Sequence, residues 1–390
     1  YEQGKSCLSL EEVQQRLKSK INIVVDNESI LTTKKVAVFD NGYAYIPKIH
    51  YMRKTTLRLL AQHNTTSVNE YDNGDAMDRL LYNKYSILTG QAGTGKTTVL
   101  KAIAGLEDYK VAMTAMTGKA ATLLGENAQT LHRLLGYGYK GFSIKKFDYD
   151  IVVVDEASML DWYTAFALFR AAKNCKVILC GDARQLPPVK GGSVFAELLE
   201  ILPVVELEKV HRFRHGKNNV AVYAMNSHKS LINSMIKLCQ KLKRAGEEFQ
   251  VITPVKNNVI GTYKINEILQ KQLNPNGRKI DDRYRIGDRV IVTKNCYNKE
   301  IEVFNGQVGT IVDYEKGNIY VSLHSNDTTL PFDDKEIDLA YCLTVHKAQG
   351  SQFKRVIFVS PETEYAEFID DKMVYTGTTR GIDKTYVLKI

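Results

Sequence analysis

The sequence predicts an α/β fold: two parallel sheets covered by helices, a small β-barrel insertion in the second, and a small N-terminal α+β accessory region. Three observations carry this. From residue 85 onward, apolar runs at 85–89, 110–114, 150–155, 176–180 and 203–207 alternate with helical stretches, the pattern of strands joined by crossover helices. The same alternation resumes with runs at 249–253, 339–344, 355–360 and 384–390. Between them, residues 285–332 change character. Val290 to Val292, Gln307 to Val312 and Ile319 to Leu323 are short β-rich pieces separated by Asn-Gly and Lys-Gly turns, which predicts an all-β insertion.

The elements follow in order. Ser9 and Glu12 form a capping box, and Leu10, Val13 and Leu17 share one face, so residues 9–20 predict an amphipathic helix. Residues 21–46 hold short β-rich pieces broken by turns such as Asp40 to Gly42. A second helix is expected over 49–62, and the polar stretch 63–75 reads as a linker. The domains are therefore an accessory region over 1–75, a first α/β domain over 76–205 and a second over 206–390. The first carries a hairpin insertion at about 136–148 and the second the barrel at about 283–333.

Bulk properties narrow the class. The 390 residues are 44% hydrophobic and 25% charged, which is ordinary for a globular protein. No apolar run reaches the ~20 residues of a membrane span, so the expected location is the cytoplasm: the nucleoid, or host cytoplasm for a viral chain. The chain begins at Tyr1, not Met, which points to a processed or incomplete N-terminus. Its six cysteines are scattered, without the spacing of a metal site, and read as buried free thiols. A net charge of +9 favours an anionic partner such as nucleic acid.

Residues 90–97 fit G-x-x-x-x-G-K-[ST] at every specified position, between an apolar run and a helical one. Such a loop wraps a polyphosphate in backbone amides. Gly90, Gly93 and Gly95 permit the turns, with Gln91, Ala92, Thr94 and Thr98 completing the wrap. Lys96 places a cation on the outer phosphates, Thr97 offers a hydroxyl to Mg²⁺, and the helix that follows turns its positive end to the anion.

Residues 151–156 form an apolar strand ending in two carboxylates. Asp155 is placed to hold the metal and Glu156 to polarise an attacking water; a solvated acidic turn is the plain alternative. After the run at 176–180, Gln185 is the candidate γ-phosphate contact. Arg212 and Arg380 are candidate guanidinium groups for neutralising transition-state charge; standing alone, each would read as a surface ion pair.

Taken in order, these stretches resemble the helicases of superfamily 1, most closely the RecD and Dda branch. Residues 90–98 look like motif I, Thr114-Ala-Met-Thr-Gly-Lys-Ala-Ala121 like motif Ia, and Thr130-Leu-His-Arg-Leu134 like its usual follower. Val154-Asp-Glu-Ala-Ser-Met159 resembles motif II, residues 181–189 motif III and Val210-His-Arg212 motif IV. Residues 340–351 match motif V, Tyr375 to Arg380 motif VI, and residues 303–311 the β-barrel insertion of that branch.

The resemblance covers about residues 80–390. It implies two RecA-like P-loop domains with ATP and Mg²⁺ in the cleft between them. It also implies single-stranded DNA across both, and 5′-to-3′ translocation that unwinds duplex junctions. Lys96, Thr97, Asp155, Glu156, Gln185, Arg212 and Arg380 carry over to the ATP site. Thr117, Lys119, His132, Thr344 and His346 carry over as strand contacts. The implied setting is replication, repair or recombination by a monomer, with a single-strand-binding or replication/recombination protein as the possible protein partner.

The hairpin stretch alternates glycine, aromatic and lysine residues where this family places its duplex-splitting wedge. Tyr137, Tyr139 and Phe142 are candidates to stack on the last base pair, and packing against the domain is the alternative. On the wedge reading, Phe142→Ala weakens unwinding and spares DNA-stimulated ATPase. No glutamine between Ser67 and Asn83 is available to read adenine, and Gln352 stands where the family holds the ribose with Glu. The base preference therefore stays open. So do an RNA helicase of the same superfamily and a P-loop NTPase that remodels nucleoprotein without unwinding.

Overall fold

A computed structural model describes residues 7–9, 38–40, 43–62, 75–188, 192–209, 219–294, 303–324, 328–361 and 369–390. The chain divides into two compact units, residues 1–211 and 212–390.

In the first unit, β1 (Cys7–Ser9), β2 (Val38–Asp40) and β3 (Tyr43–Tyr45) form a small antiparallel sheet with β3 at its centre. Ser9 thus ends a strand, and residues 10–20 of the expected capped helix lie outside the described residues. Helix α1 (Pro47–Ala61) starts on a proline at its first turn, where no backbone N–H is needed. It buries Ile49, Met52, Thr56 and Leu60, one face at helical spacing. Arg53 Nε donates to Glu197 Oε2 at 2.6 Å and ties α1 to this unit. Helix α2 (Ala76–Tyr82) is capped by Asp75, whose carboxylate accepts from the Met77 and Asp78 amides.

The remaining elements of this unit in chain order are β4 (Tyr85–Gly90), α3 (Lys96–Ala104), β5 (Val111–Ala115), α4 (Gly118–Leu124), β6 (Gln129–Thr130) and α5 (Leu131–Leu134). They continue with β7 (Tyr137–Gly138), β8 (Gly141–Phe142), β9 (Ile151–Asp155), α6 (Trp162–Ala171), β10 (Lys176–Gly181), α7 (Val194–Leu198) and β11 (Val204–Leu207). Six of these strands form one all-parallel sheet in the order β11-β4-β10-β9-β5-β6. Side chains alternate between its faces. Ile87, Val152 and Val154 join one core with α1 and α6, while Leu88, Ile151 and Val153 join the other with α2, α3 and α4. Burial on both faces explains why these strands read as continuous apolar runs.

The second unit has β12 (Val220–Ala224), α8 (His228–Arg244), β13 (Phe249–Thr253) and α9 (Thr262–Leu273). After these come β14 (Arg289–Val292), β15 (Val308–Glu315), β16 (Asn318–Leu323), β17 (Thr328–Phe332) and β18 (Ile337–Leu339). It ends with β19 (Cys342–Thr344), α10 (Val345–Ala348), β20 (Phe353–Ser360), α11 (Asp371–Thr378) and β21 (Gly381–Lys389). Its parallel sheet runs β12-β21-β20-β13-β19. Helix α8 lays Leu231, Met235, Cys239 and Leu242 on the core shared with Ile265 and Leu269 of α9.

Strands β14 to β18 form a separate antiparallel sheet, β17-β16-β15-β14-β18, around Tyr284, Val290, Ile311, Val321 and Phe332. Among the described residues no ladder joins β17 to β18. Among the described residues no helix is long and apolar enough to cross a membrane.

Candidate nucleotide site and strand-contact residues

The chain leaves β4, skips past β10 and β9 to build β5, then returns. That reversal opens a crevice at the carboxyl ends of the strands, where open α/β sheets bind ligands. The phosphate loop fills it. Gly90, Gly93 and Gly95 all take positive φ (150°, 86° and 91°). A Cβ on Gly90 would stand 2.6 Å from the Leu207 carbonyl oxygen of neighbouring β11, so glycine is needed there for space as well as φ. Lys96 Nζ donates to the carbonyls of Gly90 (2.6 Å) and Gln91 (2.9 Å), which holds the amine across the mouth of the loop. Thr94 Oγ1 donates to the Gln91 carbonyl at 2.9 Å and closes the turn. Thr97 and Thr98 are exposed on the first turn of α3.

β9 delivers Asp155 and Glu156 to the same edge. The Glu156 amide donates to Asp155 Oδ1 at 2.8 Å. Burial pushes the Asp155 carboxyl above its usual range; the Glu156 amide, the Cys180 thiol and Lys96 pull it back. Divalent-cation binding would oppose the burial effect in the same direction. Glu156 sits at φ 54°, ψ 35°, a left-handed conformation that costs a non-glycine residue of order 1–3 kcal/mol and concentrates at functional sites. The Ala157–Met159 turn that follows holds it there.

At the end of β10, Asp182 and Gln185 are both buried. Asp182 Oδ1 accepts from the Arg184 amide at 3.0 Å, and the Gln185 amide donates to the Asp182 carbonyl at 3.1 Å. This tight turn presents Gln185 on the strand end next to Asp155. Sequence reasoning missed Asp182 and the thiol of Cys180, because a carboxylate that shapes a turn and a thiol under a carboxylate leave no motif.

Thr117 caps α4 by accepting from the Ala120 amide, and Lys119 lies in the first turn. Met116 N donates to the Asp155 carbonyl at 3.1 Å, so this segment is joined directly to the acidic strand end. Thr130 caps α5, which carries His132. The His132 ring lies 5.3 Å from Tyr137 and 5.7 Å from Phe142. Burial lowers its pKa, opposed by Asp161.

The hairpin β7–β8 exists, and the structure separates its aromatics. Phe142 sits between Tyr137 (4.9 Å) and Tyr163 (5.0 Å) and packs on the domain core. Tyr139 at the tip is fully exposed. A Cβ on Gly141 would lie 2.6 Å from the Tyr163 hydroxyl, which fixes how closely the hairpin foot docks.

In the second unit, Thr344 is buried and caps α10 by accepting from the Lys347 amide at 3.2 Å. His346 is exposed on that turn; crowding by the protein first, and Lys256 second, lower its pKa. Gln352 is exposed. Arg380 is 3% exposed, and its guanidinium donates to the Thr376 carbonyl (3.0 Å), the Ser351 carbonyl and Thr379 Oγ1. Arg212 lies outside the described residues. Four cysteines, Cys175, Cys180, Cys239 and Cys342, are buried free thiols. No cluster of His, Cys, Asp and Glu suited to a metal occurs among the described residues.

Three domain families match successive parts of the chain. Residues 72–246 match the AAA domain family, and residues 339–388 match the UvrD-like helicase C-terminal domain. Residues 265–323 match the SH3 domain of ATP-dependent RecD-like DNA helicases, so the antiparallel insertion decides among P-loop proteins. The chain resembles the RecD-like helicases. The ATP-dependent RecD2 DNA helicase of Deinococcus radiodurans is 32% identical over 81% of this chain and 48% of its own length. The RecBCD enzyme subunit RecD of Mycolicibacterium smegmatis is 25% identical over 78% of this chain and 68% of its own. The chain thus spans about half the length of the RecD2 relative. Its fold also matches a Bacteroides Pif1 bound to ssDNA, with a TM-score of 0.52 at 20% identity over 80% of this chain and 90% of that one.

Proposed function

We propose that this chain is an ATP-dependent DNA helicase of the RecD-like family that moves 5′ to 3′ on single-stranded DNA and unwinds duplex. The observation that carries the reading is the convergence of the phosphate loop, the Asp155–Glu156 pair and the Gln185 turn on one sheet edge, joined through Met116 to the Thr117 segment. In the first unit, the nucleotide residues and the Thr117 segment therefore share one end of the sheet.

The residues fit Mg-ATP: glycines with positive φ shape the cradle, a lysine spans it, and a carboxylate pushed up by burial gains from a cation. Bound Mg-ATP would supply the phosphoanhydride that is broken. The amides of residues 93–98 would hold the phosphates, Lys96 would neutralise the outer ones, and Thr97 and Asp155 would hold the metal. Glu156 orients the attacking water and accepts its proton, while Gln185 contacts the γ-phosphate. Developing charge is assigned to Arg212 and Arg380, and the ribose to Gln352. Thr117, Lys119, His132, Thr344 and His346 contact the strand through hydroxyls, amides and cations, which read no sequence.

The test is ATP hydrolysis with and without single-stranded DNA or RNA, followed by unwinding of duplexes carrying only a 5′ or only a 3′ tail. Stimulation by DNA and unwinding from the 5′ tail are expected. Unwinding from the 3′ tail alone would reverse the polarity, and no stimulation by either strand would end the helicase reading.

Tyr139, not Phe142, is the residue we assign to stacking on the last base pair; Phe142 anchors the hairpin foot. Base–aromatic stacking contributes about 1–3 kcal/mol. Tyr139→Ala should slow unwinding roughly five- to hundred-fold by that measure, with DNA-stimulated ATPase within two-fold of wild type. Equal loss of both would refute the assignment.

A further inference from the structure

Behind the hairpin lies a basic recess of about 470 Å³, lined by Lys145, Lys146, Arg170, Ala171, Lys173 and Asn174. Four of the six are cations and none is acidic. Of the carboxylates next to it in sequence, Asp148 pairs with Lys110 Nζ at 2.5 Å and also faces the charge of Lys146, and Asp150 accepts from the Lys110 amide at 2.8 Å. Arg170 rests 5.5 Å from the Phe166 ring, and its buried Nε has no hydrogen-bond partner. Lys145, Lys146 and Lys173 are exposed.

The recess is positioned by α6. Phe142 of the hairpin packs on Tyr163 in the first turn of α6, and Phe147 N donates to the Ala171 carbonyl at the helix's last residue (3.0 Å). The segment between them therefore runs the length of the helix. Eight helical rises from Tyr163 to Ala171 set the recess roughly 12 Å from the hairpin foot. It lies just before the starts of β9 and β10, at the edge of the sheet opposite the phosphate loop.

We propose that this recess grips the phosphate backbone of duplex DNA ahead of the point where the hairpin parts the strands, a reading that rests on the unwinding activity proposed above. About 12 Å is three to four base pairs at ~3.4 Å each, so a duplex lying along α6 from the hairpin foot reaches the recess within a few pairs. The lining favours duplex over single strand. Single-strand sites pair cations with aromatic platforms for the bases; here the only apolar lining residue is Ala171. Lysine, arginine and asparagine without a base platform fit phosphates, which set position and carry no sequence. The grip holds the duplex in register with Tyr139 while the nucleotide site at the other edge stays free.

The test uses the full chain with Lys145→Glu, Lys146→Glu and Lys173→Glu combined, and a milder variant with glutamine at the same three positions. Binding to a blunt 20-base-pair duplex and to oligo-dT is titrated by fluorescence anisotropy over a range of salt, without nucleotide. Duplex affinity should fall at least ten-fold in the glutamate variant and less in the glutamine variant. In the glutamine variant the slope of log affinity against log salt should shrink by up to about 2.7, from three lost phosphate contacts. Oligo-dT affinity and DNA-stimulated ATPase should stay within two-fold, which also shows that the variants fold.

Duplex affinity unchanged from wild type would overturn the proposal. So would equal loss for duplex and oligo-dT. Because no nucleotide is present, failure of the wild-type chain to unwind would overturn the activity alone, and unchanged duplex binding would overturn this surface alone.

Discussion

Lys96→Ala is expected to lower the ATPase rate by at least a hundred- to thousand-fold while leaving affinity for single-stranded DNA within about two-fold. Removing one preorganised donor from a site of developing charge costs about 2.7–4 kcal/mol, which is that factor in rate. The structure adds a reason why the loss should be specific. The amine is held at the loop mouth by the Gly90 and Gln91 carbonyls, while the loop itself is shaped by glycine φ and the Thr94 contact. Deleting the amine frees two carbonyls for water and leaves the cradle standing. Phosphate release with saturating oligo-dT, read beside anisotropy with the same oligonucleotide, separates the two. A rate within ten-fold of wild type would sink the role of Lys96. A matching loss of strand affinity would mean that the substitution collapses the unit.

The first unit was legible because its chemistry is local. A phosphate loop needs glycine φ, a lysine and a hydroxyl within eight residues, and a strand end needs two adjacent carboxylates; both leave a compact trace. The parallel strands β4, β9 and β10 are buried on both faces, so they stand out as unbroken apolar runs. Strand β12 was missed for the converse reason: Val220, Val222 and Tyr223 are all exposed on a sheet edge, and their pattern has neither a two-residue alternation nor a buried run. Strand β17 carries Pro331 within it, a residue that argues against a strand except where its missing donor is harmless, as at this sheet's edge.

The hairpin shows the limit most clearly. Tyr137, Tyr139 and Phe142 are equivalent as letters, and only docking against Tyr163 and His132 separates the anchor from the tip. The basic recess has the same origin. Lys145 and Lys146 meet Arg170 and Lys173 only because a backbone hydrogen bond brings residue 147 to the end of α6.

Asp288→Ala is expected to loosen the antiparallel insertion by about 3 kcal/mol or more, although Asp288 touches neither nucleotide nor any proposed strand contact. Its carboxylate is fully buried and accepts four hydrogen bonds: from Gln270 Nε2 (2.5 Å), Asn274 Nδ2 (2.8 Å), the Arg285 amide (2.8 Å) and the Tyr341 hydroxyl (2.9 Å). Gln270 belongs to α9, Asn274 follows it, and Tyr341 leads into β19, so one side chain fastens the insertion to the parallel sheet. Burial, with Asp288 second, pushes the Tyr341 phenol well up, which keeps it a donor. Each hydrogen bond to a charged group contributes about 1.5–3 kcal/mol, and alanine would also leave buried donors without an acceptor.

Asp288→Asn should lie between wild type and alanine, since the amide keeps the shape but turns one acceptor into a donor facing donors. Amide exchange over β14 to β18 is the direct readout. A loss of 3 kcal/mol speeds exchange there by roughly a hundred-fold at 1.4 kcal/mol per decade, while β4, β9 and β10 of the other unit keep their protection. Exchange unchanged in the alanine variant would show that the insertion is held by its apolar core alone. Uniform acceleration in both units would show that the network supports the whole chain and not this joint.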